Sequence, residues 1–194
     1  MPASVESIGA LAFGVIDTQG SISHEKEPGN GIYKGYWGSS NYSLECRDWI
    51  IKFDEGSEVG SIGVAAFAGL SGIREIDLSC CDKLSTISAM AFNRTIDSSE
   101  FLELPVNVIE IGGGAFSYPK GGIASSSSSI KIPNSVQVLD NAFEDIAGEL
   151  VFGQGSELRR INLSLAENNM AVDLTPCLQL EEIWNLGGSS VITN

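Results

Sequence analysis

The chain has 194 residues, of which 43% are apolar, and its formal net charge is −14 at pH 7. Only 11 lysines and arginines are present, and binding to phosphates needs clustered basic side chains, so nucleic acid and anionic membrane surfaces are disfavoured as partners. No apolar run approaches the roughly 18 residues that span a bilayer, so we expect no direct membrane insertion.

The first recognisable element is the segment 5–13, which ends in an Ala-Phe pair. No basic segment followed by an apolar core precedes it, so we expect this chain to have no signal peptide of its own. The same nine-residue frame returns at 59–67, 84–92 and 108–116, and with one residue fewer at 136–143.

The phenylalanines that close these five segments are 54, 25, 24 and 27 residues apart: Phe13, Phe67, Phe92, Phe116 and Phe143. A period in the twenties predicts a solenoid, because each unit is too small to bury its apolar face alone and must stack on its neighbours. We therefore predict that these five phenylalanines are structural repeat positions, with one ring above the next inside the convex wall.

The first of these intervals is twice the local period, which predicts an irregular repeat or an insertion at about residues 14–55. Five Tyr and Trp residues lie in this segment, Trp49 near its end and four others among several glycines: Tyr33, Tyr36, Trp37 and Tyr42. Tyr and Trp beside Gly are preferred contact residues on loops, so these four are the predicted partner-binding residues. The alternative is a degenerate repeat whose strand is 49–53, and Trp49 fits that structural role.

Short runs that alternate apolar and polar residues predict strands with one buried face, at 73–78, 101–104, 130–132 and 161–163. We expect them to stack in parallel along a ladder. Pro105 and Pro133 follow two of the runs and end the pairing because proline has no N–H to donate. Gly9, Gly63 and Gly112 are expected to permit the tight backbone that turns each coil.

The four cysteines show no Cys-x-x-Cys spacing of the kind that zinc and redox sites use. Cys81 and Cys177 hold equivalent repeat positions and are predicted to be small buried side chains. Cys46, in the insertion, is the cysteine to test for a disulfide. His24 is the only histidine and lies in a polar loop without a second histidine nearby.

No catalytic residues are predicted. Residues 112–114 form a Gly-Gly-Gly run, but the Lys-Ser or Lys-Thr of a phosphate loop does not follow. Acidic pairs such as Asp54-Glu55 are neighbours in sequence, which says nothing about a facing acid and base. We predict a protein that is not an enzyme and that uses neither a metal nor a cofactor.

The repeats resemble the BspA-like, or treponemal-type, leucine-rich repeat. Its consensus is roughly Ile-Pro-x-Ser-Val-x-x-Ile-Gly-x-x-Ala-Phe, with a Cys-x-x-Leu-x-x-Ile variant. Residues 104–108 and 132–136 fit the first form, and 81–87 and 177–183 fit the second. The resemblance implies an α/β repeat over residues 1–194. Its fold is a single leucine-rich-repeat solenoid with stacked parallel short strands and irregular or short helical convex segments.

The resemblance further implies the function that is usual in this family, a non-enzymatic protein-binding or adhesion module of a surface protein. The implied location is extracellular or at the cell surface. The partner is expected to be a protein, with a glycan as a possible ligand. The alternative function is a structural subunit of a larger assembly, such as a virion, an envelope layer or a membrane complex, with neighbouring subunits as its partners.

Overall fold

The computed structural model describes residues 1, 4–13, 49–70, 73–95, 102–117, 129–143, 148–163, 170–184 and 192–193. Within these residues the backbone winds into a solenoid of short strands, and we call each turn of the solenoid a coil. Successive strands alternate between one seven-stranded sheet and two shorter sheets, and all pairings are parallel.

The odd-numbered strands form the seven-stranded sheet in chain order: β1 Ser7–Ile8, β3 Ser61–Ile62, β5 Thr86–Ile87, β7 Glu110–Ile111, β9 Val138–Asp140, β11 Arg160–Asn162 and β13 Glu182–Trp184. The even-numbered strands are β2 Trp49–Lys52, β4 Ile73–Asp77, β6 Leu102–Glu103, β8 Ser129–Ile132, β10 Gly148–Phe152, β12 Met170–Asp173 and β14 Ile192–Thr193. The first three of these form one sheet and the other four form another.

The core is a column of aliphatic side chains, to which each coil contributes at the same repeat positions. The odd strands each direct one residue inward, and the inner members are at most 1% exposed: Ile62, Ile87, Ile111, Leu139 and Ile161. A Val or Leu three residues earlier is also buried: Val59, Leu84, Val108, Val136 and Leu158. Complete burial of such a side chain contributes roughly 1.5–3 kcal/mol, so the stacking of coils supplies most of the stability.

The Ala-Phe segment of each coil is joined to the next coil by further backbone hydrogen bonds. The N–H of Phe67 donates to the carbonyl of Ala91 at 2.8 Å, and that of Phe92 donates to Ala115 at 2.7 Å. In each coil the residue before the Ala-Phe pair has a left-handed φ between 41° and 65°: Leu11, Ala65, Met90, Gly114 and Asn141. A non-glycine residue in this conformation costs roughly 1–2 kcal/mol, which the bonds between coils must offset.

The five phenylalanine rings form a stack along the solenoid. Consecutive ring centroids are 5.1, 5.1, 5.3 and 5.4 Å apart, and neighbouring planes differ by no more than 10°. Phe67, Phe92 and Phe116 are almost completely buried, whereas Phe13, the first ring of the stack, is 49% exposed. Phe143, the last ring of the described stack, is 4% exposed with a stacked ring on one side, so the rings are buried by the rest of the core as well as by one another.

Gly63 and Gly112 are required by the close approach of neighbouring coils rather than by a left-handed φ. A Cβ at Gly63 would lie 2.5 Å from the backbone nitrogen of Ala10, and one at Gly112 would lie 2.6 Å from that of Ala89. Gly9 holds the same position in the first coil and has no heavy atom within 4 Å of such a Cβ. Glycine is therefore needed at two of the three positions, and the reason is the space between coils rather than the expected turn of the backbone.

Stacked parallel strands are confirmed, but the expectation of one ladder is wrong. The predicted strand at 161–163 lies in the seven-stranded sheet as β11, whereas the other three predicted strands lie in the shorter sheets. The described residues contain no helix, so the helical convex segments stay a prediction. Trp49–Lys52 forms a strand that pairs with β4, as the degenerate-repeat interpretation of the 14–55 segment requires.

Truncation of an inner ring tests the phenylalanine stack. Phe92→Ala and Phe116→Ala should each lower the free energy of unfolding by about 3–5 kcal/mol, because each removes a buried aromatic side chain. Phe13→Ala is the matched control, and its loss should stay below about 2 kcal/mol because half of that ring already faces solvent. Equal losses at Phe13 and Phe92, measured by urea denaturation, would contradict the stack as the source of this stability.

A second prediction concerns the glycines. Gly63→Ala and Gly112→Ala should each destabilise the fold by roughly 1–3 kcal/mol, because the new methyl group forces neighbouring backbones apart. Gly9→Ala should leave the urea midpoint almost unchanged. Ser88 carries a Cβ at the equivalent position of another coil, so the restriction depends on how closely each pair of coils approaches. Loss of stability in Gly9→Ala alone would refute this explanation.

Candidate binding surface

The seven-stranded sheet has more strands than either of the other sheets that the structure describes, and its outward face is the candidate binding surface. Its central row, here called the outer row, contains the residue that precedes the inward Ile or Leu of each strand: Ser7, Ser61, Thr86, Glu110, Val138, Arg160 and Glu182. All seven are at least partly exposed. Because parallel strands lie about 4.8 Å apart, the row extends over about 29 Å.

A second row lies beside the outer row, one residue earlier in each coil, and we call it the flanking row: Glu6, Gly60, Ser85, Ile109, Gln137, Arg159 and Glu181. The second and third coils contribute only glycine, serine and threonine to the two rows, whereas the last two coils contribute only arginine and glutamate. The face therefore changes from small and neutral at the second and third coils to strongly charged at the last two.

Charged pairs connect neighbouring coils, and one of them joins two residues of the flanking row. Arg159 Nη1 lies 3.0 Å from Glu181 Oε1, and the Lys83 ammonium contacts the Glu58 carboxylate. The four side chains are between 46% and 60% exposed, and such pairs contribute at most about 1 kcal/mol each. Their main effect is to set the charge pattern that a partner would meet.

Two equivalent Asp turns follow β4 and β12. Asp77 Oδ1 accepts hydrogen bonds from the backbone N–H and the hydroxyl of Ser79, and Asp173 Oδ1 accepts the same pair from Thr175. The Ser79 bonds, with a smaller contribution from Lys52, lower the pKa of Asp77 below its usual value near 3.8. Because the folded pKa is lowered, this stabilisation is present above about pH 4 and is lost as the pH falls through the folded pKa.

The predicted burial of Cys81 and Cys177 is confirmed, since they are 0% and 5% exposed. Each lies next to the hydroxyl of a buried serine one coil earlier, with Cys81 Sγ 3.9 Å from Ser57 Oγ and Cys177 Sγ 3.7 Å from Ser156 Oγ. Burial raises the pKa of both thiols, which keeps them protonated and unreactive. These cysteines therefore have a packing role.

The four predicted partner-binding residues, Tyr33, Tyr36, Trp37 and Tyr42, lie outside the described residues, as do His24 and Cys46. The five phenylalanines lie in the internal stack and not on the outward face. Sequence and structure together therefore offer two candidate regions, the aromatic segment and the outward face of the solenoid.

Sequence reasoning missed the exposed apolar residues of the last odd strand. Ile183 is 42% and Trp184 is 53% exposed, although Ile183 continues the inward series that is buried in earlier coils. A signal was present, because Trp184 follows the inward Ile at a position that small or polar residues hold in other coils: Gly9, Gly63, Ser88, Gly112, Asp140 and Asn162. A large aromatic residue at this position indicates a different environment.

Among the residues that the structure describes, no group of three His, Cys, Asp or Glu side chains could hold a metal ion. Within the same ranges no helix has the length and apolar character needed to cross a membrane.

Stacked parallel strands with a repeated Leu or Val and Ile core define the class of this protein as a leucine-rich-repeat solenoid. More narrowly, the chain belongs to the BspA type leucine-rich repeat family, whose model matches in six copies over residues 40–162. No curated protein and no solved structure matches the chain. Leucine-rich repeats of this family are typically non-enzymatic and mediate protein interaction or adhesion.

The described coils extend the repeat beyond both ends of the matched region. β1 pairs in register with β3, and β13 pairs in register with β11. The segment 5–13, which keeps the full frame, and the segment 180–183, which keeps only its apolar spacing, therefore belong to the same solenoid.

Proposed function

We propose that this chain is a non-enzymatic protein-binding module of a surface protein, of the adhesion type. It recognises its partner through the outward face of the solenoid and the aromatic residues of the 14–55 segment. One observation supports this most directly. The inward positions of successive coils are nearly uniform, Ile or Leu in every case, whereas the outer row reads Ser, Ser, Thr, Glu, Val, Arg, Glu.

Packing explains the uniform inward positions but places no such demand on the outer row. A rigid sheet that displays a different side chain on every coil is well suited to recognise one partner by shape and charge. We propose an extracellular or cell-surface location and a protein ligand, with a glycan as the other candidate. The net charge of −14 disfavours nucleic acid.

The aromatic segment provides the test of the binding function. The wild-type chain serves as bait for surface proteins, and any captured protein is purified and titrated against it. Tyr36→Ala combined with Trp37→Ala should weaken that affinity by at least about 2 kcal/mol, because exposed aromatic anchors dominate binding energy. The melting temperature should not change. Unchanged affinity, or collapse of the fold, would exclude these residues as the contact site.

A matched variant separates the two candidate regions. Arg160→Ala combined with Glu182→Ala removes two side chains of the outer row and leaves the aromatic segment intact. Loss of affinity in this variant alone would assign recognition to the outward face. The absence of a saturable protein ligand for the wild-type chain would contradict the binding function itself.

A second candidate function is a structural subunit of a larger assembly. It is favoured by the first and last coils of the seven-stranded sheet, where Phe13, Ile183 and Trp184 are between 42% and 53% exposed. Inner coils bury the equivalent Phe and Ile positions against a neighbour. A permanent neighbour at each end would do the same for the terminal coils.

The mass of the 194-residue chain in solution distinguishes the two functions. Light scattering behind a sizing column should give a monodisperse monomer if the chain is a binding module. A defined oligomer or progressive aggregation would instead favour the structural subunit, because the terminal coils would then need neighbours.

A further inference from the structure

We propose that the outer edge of β13 is a docking site for an extended segment of a partner protein that carries two basic residues followed by an aliphatic one. In the part of the chain that the structure describes, β13 pairs on one side only, with β11. The proposal rests on the proposed function as a protein-binding module, and it adds a particular surface and the chemistry of the partner.

The molecule itself contains the template for this contact. β11 pairs in parallel with β13, with Arg160 beside Glu182, Ile161 beside Ile183 and Asn162 beside Trp184. Backbone bonds run from the N–H groups of Glu181 and Glu182 to the carbonyl of Arg159, at 2.8 and 3.0 Å. An Arg-Arg-Ile strand thus covers one edge of a Glu-Glu-Ile strand.

A parallel sheet repeats the same hydrogen-bonding pattern from strand to strand, so the other edge of β13 presents an equivalent arrangement. Addition of an extended peptide to such an edge is a common mode of protein recognition. Glu181 and Glu182 are both exposed, and Glu181 also forms the ion pair with Arg159 of the preceding coil. Basic residues at the first two positions of an added strand would lie beside these carboxylates.

Apolar contact supplies the other part of the argument. Ile161, which has strands on both sides, is 1% exposed, whereas Ile183 is 42% exposed. Trp184 is 53% exposed and belongs to the residue type that most often dominates interfaces. An aliphatic residue at the third position of the added strand would cover Ile183 and complete its burial.

A second copy of this chain is the less favourable occupant. Stacking of its first coil on β13 in the register of the sheet would place Ser7 beside Glu182 and Glu6 beside Glu181. Like charges directly opposite each other on neighbouring strands are destabilising. The acidic pair also disfavours uncontrolled pairing of the edge with other strands, so it selects for a basic partner segment.

The test uses the full chain and a capped synthetic peptide, Leu-Arg-Arg-Ile-Asn-Leu, which copies residues 158–163. Isothermal titration should give a Kd of about 0.1–1 mM, with binding of Leu-Glu-Glu-Ile-Asn-Leu at least about tenfold weaker. Amide hydrogen exchange at Ile183 should slow when the basic peptide binds. Successive N–H groups of a strand point to opposite edges, and those of Glu181 and Glu182 already donate to Arg159 of the preceding coil.

Two charge-reversal variants separate edge binding from general attraction to an acidic protein. Glu182→Lys should weaken binding of the basic peptide about tenfold and strengthen binding of the acidic one. Glu149→Lys makes the same change in net charge on β10, at an exposed position in a different sheet, and should leave both affinities nearly unchanged. Circular dichroism checks that each variant is folded.

Three results would overturn the edge assignment: absence of saturable binding of the basic peptide, equal affinity for the two peptides, or equal effects of Glu182→Lys and Glu149→Lys. None of these results decides the proposed function as a protein-binding module, which is tested separately by titration with a captured protein. A chain that binds such a protein but not the peptide would contradict the edge site alone.

Discussion

Hydrogen bonding between coils is the constraint on which this structure depends. A strand of two or three residues cannot bond to itself, so the N–H and C=O groups of each coil find their partners on the coils before and after it. These bonds require successive coils to lie in register, and the register places like residues above like residues. The aliphatic column and the stacked rings are consequences of it, and so is the alignment of the varied outer-row residues along one line.

Register also accounts for the unusual backbone of the Ala-Phe segments. Leu11, Ala65 and Met90 adopt a left-handed φ that these residue types normally avoid. The conformation directs the Phe N–H toward a carbonyl of the next coil and the ring toward the stack. A coil in isolation would gain neither contact, so the strain is sustained only by the assembled solenoid.

Much of the fold could be predicted from the sequence because the inward residues repeat in kind and in spacing. The phenylalanine period, the burial of Cys81 and the parallel stacking follow from that repetition. Other features could not be predicted. Ser61–Ile62 and Thr86–Ile87 are too short to show the alternation of apolar and polar residues that predicts a strand. Most strands of the seven-stranded sheet could therefore not be recognised from the sequence.

The residues with a left-handed φ could not be predicted for a different reason, since Leu, Ala and Met have no preference for that conformation. Only their alignment with Gly114 and Asn141 indicates it. The proposed recognition residues follow no repeat. Tyr36 and Trp37 were proposed from composition, whereas the exposed Trp184 was recognisable only by comparison with the small or polar residues that other coils have in its place.

The cysteine and serine contacts set a rule for how such a chain can change its length. Ser57 with Cys81, and Ser156 with Cys177, each join one coil to the next. Deletion or exchange of a single coil would leave a buried hydroxyl or thiol against an unsuitable neighbour, whereas transfer of both coils together keeps the contact intact. At these two places the unit that can be exchanged is therefore a pair of coils. Recombination or design that exchanges a single coil should destabilise the solenoid there first.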